Sequence, residues 1–330
     1  MIERRGMLAG AGALLLAAGP GAAQGTAQGT AQANWPDRPV RLIIGYPAGG
    51  PTDFAARLLQ PHLQALWGQP LVIENRAGAN GIIGSEAVAR AAPDGYTLLL
   101  GNSPNTINPA IQPRMPFDSL ADLAPVVLIY FSPTVLFAGP ETGLRTLADV
   151  VAAAKAQPGM AYAVSGMGSP GHFAGEVFKL AAGIDITPVA YRGAPPALAD
   201  VVGGRVAITF STLSGAIALL RDGKLRPIAV SGPDRIESLP GVPTFVESGF
   251  DVADTNGWYG IIAPAGTPAP IQQRIAGDIA GLLARPEIRQ RFLDSAAIPL
   301  AEGPAAFAAR YRAEIGRWTA IARAADIRAE

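Results

Sequence analysis

From Val40 onward, short apolar runs alternate with longer stretches in which apolar residues recur every three or four positions. Runs rich in Val, Ile, Leu and aromatic residues, bounded by Gly and Pro, predict strands. They fall at 40–46, 71–74, 96–100, 126–129, 135–138, 161–164, 186–190, 206–210, 226–230 and 258–262. Helical spacing predicts helices at 53–67, 82–91, 147–156, 172–182, 195–202, 268–284 and 305–324. The last carries a stripe of Phe307, Tyr311, Ile315 and Trp318. Strands separated by helices predict an α/β protein of parallel sheets with helix-covered faces. Pro61 interrupts the first helix and is expected to kink it or split it near Gln60.

The pattern loosens twice. Residues 105–125 are punctuated by proline, and 239–257 are rich in proline and glycine. The first stretch is expected to cover the edge of one lobe, and the second to lead the chain back to it. This predicts one lobe at 34–131 plus 256–330 and another at 132–255. The two crossings between them would form a hinge.

Two turns stand out at strand-to-helix junctions. Pro47-Ala48-Gly49-Gly50-Pro51-Thr52-Asp53 follows the first strand. A glycine pair there lets backbone approach a ligand, and the helix start offers unpaired N–H groups to an anion. Thr52 or Asp53 is expected to cap the helix; an ordinary capped helix is the plainer reading. The second turn is Ser165-Gly166-Met167-Gly168-Ser169-Pro170-Gly171-His172. It reads as another anion cradle, with Ser165 and Ser169 as hydroxyl donors. His172 is either a ligand donor or a polar residue of the first turn. Asn102 and Ser103 lie just past the strand at 96–100, and Ser211 and Thr212 just past 206–210, at the rim where parallel sheets bind ligands. Trp258 and Tyr259 would wall the cleft or fill the core. Two cradles in one chain imply two lobes closing on one small acid, with Gly49 and Gly168 facing a shared crevice.

The 330 residues suffice for two lobes, and 49% of them are apolar. Lys plus Arg and Asp plus Glu both number 26, so no basic excess points to nucleic acid. With no cysteine and only His62 and His172 as imidazoles, a metal site is not expected, nor any cofactor. Arg4-Arg5, an apolar run from Met7 to Ala18 and small residues at Gly21, Ala22 and Ala23 have the layout of a cleavable export signal. Either the twin-arginine or the general secretory route fits. Cleavage would fall between Ala23 and Ala33, with a disordered Gly-Thr-Ala-Gln repeat between. Residues 1–33 are therefore set apart as export signal and spacer. Beyond them no window is apolar and long enough to cross a bilayer.

Catalytic arrangements are poor. Gly-x-Ser-x-Gly is missing its leading glycine around Ser169, and there is no Walker loop and no His-Glu-x-x-His. Gly166, Gly168 and Gly171 do fit G-x-G-x-x-G, so an exported nucleotide-using enzyme is one alternative. Against it, Asp185 lies at the wrong end of the next strand for a ribose contact. No catalytic residue is assigned.

The strings that carry most information occur in order along the mature chain. They include Trp35-Pro36-Asp37-Arg38-Pro39, Tyr46 through Asp53, Glu74-Asn75-Arg76-Ala77-Gly78-Ala79-Asn80-Gly81 and Ala92-Pro93-Asp94-Gly95-Tyr96. Later come Gly168-Ser169 with His172, Tyr191-Arg192-Gly193, Pro240-Gly241-Val242-Pro243-Thr244 and Ala263-Pro264-Ala265-Gly266-Thr267-Pro268. In these the chain resembles the Bug-type periplasmic receptors of tripartite tricarboxylate transporters. The resemblance implies a two-lobed periplasmic-binding-protein fold, type II-like, with a ligand cleft between the lobes. It also implies a periplasmic location, a monomer, and a small carboxylate passed to membrane permease subunits; a receptor repurposed as a sensor input is a further alternative. The implied ligand-binding set is Tyr46, Ala48, Gly49, Gly50, Thr52, Asp53, Asn102, Ser165, Gly168, Ser169, His172 and Ser211. Where that family often carries an acid, this chain has Ser211, which argues against a ligand ammonium and for a plain mono- or dicarboxylate.

Overall fold

The computed structural model describes residues 35–252 and 255–328, so the expected export signal and spacer lie outside the described residues. The chain starts with β1 (Val40–Ile44), α1 (Pro51–Trp67), β2 (Leu71–Asn75), a 3-10 turn (Ala79–Gly81), α2 (Ile82–Ala89), β3 (Thr97–Asn102), α3 (Pro104–Ile111) and β4 (Leu123–Ser132). A second set follows: β5 (Thr134–Ala138), α4 (Leu147–Ala156), β6 (Met160–Val164), α5 (Pro170–Ala182), β7 (Ile186–Ala190), α6 (Ala194–Val202), β8 (Ile208–Thr212), α7 (Leu213–Arg221) and β9 (Arg226–Val230). The chain then adds β10 (Gly257–Pro264), α8 (Ala269–Leu283), α9 (Pro286–Asp294), β11 (Ile298–Glu302) and α10 (Pro304–Ala324).

These strands form two sheets, ordered β11-β4-β10-β3-β1-β2 and β7-β6-β8-β5-β9. Both are mixed, which corrects the expectation of parallel sheets. β1 pairs in parallel with β2 and β3, and β6 with β7 and β8, as helix crossovers require. β10 is antiparallel to β3 and β4, and β5 to β8 and β9. β10 and β5 are the strands the chain enters on arriving from the other sheet. No helix crossover fixes their direction.

The two crossings lie side by side. Only Pro133 separates β4 from β5. On the return path Thr134 Oγ1 donates to the Thr255 carbonyl at 2.7 Å, and the Thr134 N–H to Asn256 Oδ1 at 3.2 Å. Gly257 then pairs with Ser132. The crossings are thus hydrogen-bonded to each other.

Burial explains the sequence pattern. β5 is buried at all five positions. Leu136 packs on one face with Tyr162, Phe178 and Phe210; Val135 and Phe137 pack on the other with Leu198 and Val201. A strand covered on both faces reads as a continuous apolar run. In the first sheet Ile43, Leu99, Leu128, Ile262 and Trp258 meet Phe307 and Tyr311 of α10, the predicted helical stripe. Phe173 of α5 meets Trp318 of α10 edge to face, with ring centroids 5.0 Å apart.

Four elements escaped the pattern: α3, α7, α9 and β11. α3 is eight residues with two prolines and lies inside the stretch expected to be covering coil. α1 runs unbroken through Pro61, which is not the expected split. Pro61 is exposed, so the carbonyl it leaves without a donor faces the solvent side.

Gly171 sets how closely α5 approaches β8. A Cβ there would overlap the backbone carbonyl of Phe210, which cannot move without breaking the sheet. Gly171→Ala is expected to destabilise the protein by about 2 kcal/mol or more, read as a lower denaturation midpoint in urea. An unchanged midpoint would mean the α5–β8 contact is looser than described.

Candidate functional site

One cavity has walls from both sheets' helices and loops, and five helices begin there. Gly50, Pro51 and Thr52 bring in α1, and Ser103 and Pro104 bring in α3. Ser169, Pro170 and Gly171 belong to α5, Gly193, Ala194 and Pro195 to α6, and Thr212 is the residue preceding α7. Four of these starts carry proline in the first turn, where its missing N–H costs nothing. The first-turn amides of Thr52, Gly171 and Ala194 have no partner within their own helices. Among the described residues no Lys, Arg, His, Asp or Glu lines the cavity. Its positive potential therefore comes from oriented peptide groups, each helix start contributing roughly half a charge.

Seven of the expected residues meet on this wall: Tyr46, Gly50, Thr52, Asn102, Ser165, Ser169 and Ser211. Ser165 offers a hydroxyl with no partner among the described residues, while its carbonyl accepts the Gly193 N–H at 3.0 Å. Ser169 is the N-cap of α5; its Oγ accepts the His172 N–H at 3.2 Å. Ser211 makes only a long contact, 3.4 Å, to the Thr212 carbonyl. Asn102 is the last residue of β3, held by its N–H donating to Asn105 Oδ1.

The aromatic residues at the start of β10 do both things weighed for them. Trp258 and Tyr259 are buried and also line the cavity. Tyr259 stacks on Tyr130 with centroids 4.3 Å apart. Tyr130 Oη donates to the Pro51 carbonyl at 2.8 Å, fixing the start of α1. Burial pushes the Tyr259 phenol up to about 12, and burial also raises that of Tyr46. Both stay neutral at ordinary pH.

The other five expected residues lie off the wall. Ala48 and Gly49 are exposed, and the Gly49 N–H donates to Asp53 Oδ2 at 3.0 Å. Gly50 is the N-cap of α1, not Thr52 or Asp53, and no side chain caps it. Asp53 instead braces the turn from within. Its carboxylate accepts from Gly49, Arg57 Nε at 2.7 Å and Asn75 Nδ2 at 3.3 Å. Burial pushes this carboxyl up, but Arg57, the Gly49 amide and Asn75 outweigh it and hold it below the usual range. Gly168 donates its N–H to His172 Nδ1 at 3.2 Å and packs against Ile111, Asn80 and Asn108. The crevice shared by the two turns is therefore formed by Gly50 and Ser169, not by Gly49 and Gly168.

The same packing disposes of the nucleotide loop. Gly166 and Gly168 are filled against Asn80, Asn108 and Ile111, and Gly171 against Phe210. These glycines permit close packing and leave no cradle for a pyrophosphate. Among the described residues no cluster of three or more His, Asp or Glu is placed to hold a metal ion.

Sequence reasoning missed the wall at 193–195 and the start of α3. A common signal was present. A small or hydroxyl residue followed within two positions by proline occurs at 50–51, 103–104, 169–170 and 193–195. It is not specific, because Gly303-Pro304 starts α10 away from the site.

A two-lobed α/β protein with a charge-free, amide-rich cleft belongs to the class of solute receptors. Comparison with known proteins gives the family. Residues 55–326 match the tripartite tricarboxylate transporter family receptor, TctC. The chain is 36% identical to protein BugT of Bordetella pertussis over 88% of its own length and 90% of that protein. Among solved structures it is similar to an R. palustris protein with adipate (TM-score 0.86, 33% identity, 89% of this chain and 99% of that one). It is also similar to MatC from Rhodopseudomonas palustris with bound malate (TM-score 0.82, 30% identity, 87% and 99%). The chain belongs to the TctC receptor family. It is a solute-binding protein and not an enzyme, which removes the nucleotide-using alternative.

Three variants probe the site. Ser165→Ala should leave the melting temperature within about 1 °C, since only an unpartnered hydroxyl is lost. Ser169→Ala should cost about 1 kcal/mol through its cap, seen as a lower midpoint. His172 is buried, and desolvation lowers its imidazole from 6.5 to about 4. Between those values the unfolded chain binds a proton that the folded chain refuses, so stability falls as pH drops from 6.5 towards 4. That interval is worth about 3 kcal/mol. His172→Asn, which keeps an acceptor for Gly168, should flatten this part of the stability–pH curve. Denaturation at pH 7, 5.5 and 4.5 checks it.

Proposed function

We propose that this protein is a periplasmic receptor that captures a small mono- or dicarboxylate lacking an ammonium group and delivers it to the permease subunits of a tripartite tricarboxylate-type transporter. The observation that carries this reading is the cavity where five helix starts converge with no charged side chain. Such a site favours an anion through amide and hydroxyl donors. It offers no carboxylate to an ammonium. Tyr46, Gly50, Thr52, Asn102, Ser165, Ser169 and Ser211 are the residues assigned to the ligand.

Micromolar affinity requires only about 8 kcal/mol, within reach of several hydrogen bonds to an ionised acceptor. The lobes of this reading are 34–131 plus 256–330 and 132–255. The two sheets support it, since each draws its strands from one span to within a residue. A ligand touching both lobes stabilises the closed arrangement over the open one, and closure is the signal a permease can read. The receptor acts as a monomer, because each chain carries both walls. Similarity to receptors solved with adipate and malate supports the carboxylate class.

Thermal melting in the presence of mono- and dicarboxylates, amino acids and nucleotides tests the proposal. At saturation a carboxylate should raise the melting temperature, while nucleotides and amino acids should not. Stabilisation by nucleotides alone would overturn it. In the same assay Ser211→Asp should weaken any carboxylate that binds by about tenfold or more, because a like charge enters the cavity. Equal or tighter binding would place Ser211 away from the ligand.

A further inference from the structure

The first cavity is small, about 40 Å³. A single water position needs roughly 10–15 Å³ on this measure, so the space takes about three such groups. That is enough for one carboxylate and its neighbouring atoms, not for a longer acid. A second cavity of about 280 Å³ adjoins it. The two share Tyr46 and Pro47 from one lobe and Ser165 and Gly193 from the other. The boundary between them is thus a seam to which both lobes contribute.

The second cavity differs in chemistry. Arg192, two residues beyond the end of β7, lines it, and among the described residues no Asp or Glu does. Among the described residues Arg192 has no ion-pair or hydrogen-bond partner, while neighbouring Tyr191 Oη already donates to Asp200 at 2.7 Å. Gln112 faces the cavity from the other lobe, at the end of α3, and its side-chain amide is likewise without a partner. Met167, Ala77 and Ala190 supply apolar wall.

Resting on the receptor reading above, we infer that the two cavities form one elongated site for a linear dicarboxylate. One carboxylate sits among the helix starts of the first cavity, the methylene chain crosses the seam, and Arg192 with Gln112 receives the second carboxylate. The two ends are recognised by different physics. The first is held by peptide dipoles and hydroxyls, and the second by a guanidinium that pairs with a carboxylate through two parallel N–H donors. Arg192 and Gln112 are then the residues that separate a diacid from a monoacid of equal length.

Titration calorimetry on the purified protein with acids of four, six and eight carbons tests this, pairing succinate with butyrate, adipate with hexanoate and suberate with octanoate. At least one diacid should bind about tenfold or more tighter than its paired monoacid. Arg192→Gln should reduce that ratio about tenfold, and Gln112→Leu should reduce it by a smaller factor. Raised salt should shrink the ratio in the wild type, because Arg192 is exposed. Melting of each unliganded variant confirms that it is folded. Equal affinity for both members of every pair, or an unchanged ratio in Arg192→Gln, overturns the inference and leaves the receptor reading intact. Failure of all six acids to bind the wild type, with nucleotides or amino acids binding instead, overturns both.

Discussion

The convergence of helix starts on one cavity that, among the described residues, has no charged side chain is the constraint on which this structure turns. The cavity is lined by backbone and hydroxyl groups rather than by basic side chains. Five helix starts aimed at one small volume supply positive potential on the order of two charges. Peptide dipoles are fixed by the fold, so they need no reorganisation when ligand arrives. They also cannot be assembled by one lobe alone. α1 and α3 belong with the first sheet, and α5, α6 and α7 with the second. The binding potential exists in full only when the two are apposed.

The two crossings between the sheets lie close to that cavity. The chain passes between sheets at Pro133 and again before Gly257, and the crossings are bonded through Thr134, Thr255 and Asn256. Paired strands bend together and hold their register. Gly257, Trp258 and Thr212 beside these crossings also line the cavity. The crossings and the cavity therefore share residues. Elsewhere the lobes touch through packing that glycine permits, with Gly166 and Gly168 against Asn80, Asn108 and Ile111. The spacing of those glycines mimics a nucleotide fingerprint, but its physical cause is contact between loops.

Some of the site could be read from the chain. Gly50, Ser169, Asn102 and Ser211 stand at strand-to-helix turns or strand ends, and a local rule finds such positions. Gly49 and Asp53 looked equally good to the same rule. They failed because Asp53 turned back to take the Gly49 amide and Arg57. Which of two adjacent glycines lines the cavity goes with the side-chain hydrogen bonds of Asp53, and no periodicity encodes that. α3 was illegible because its two prolines outweigh eight residues of weak helical signal. It forms through contact with α10, including Tyr311 Oη donating to the Asn105 carbonyl at 3.1 Å.

The sequence by itself determined the alternation of strands and helices, the two-sided burial of strands such as β5, and the glycine and proline punctuation that starts helices at a sheet rim. These follow from neighbours along the chain. Tertiary structure alone decided the direction of β5 and β10, the pairing of the two crossings, and the meeting of helix starts from separate lobes around a space without charge. Those features join residues far apart in the chain, as in the pairing of Thr134 with Thr212 and its hydrogen bond to Thr255. Their energy comes from hydrogen bonds and packing across that separation, to which local propensity is blind.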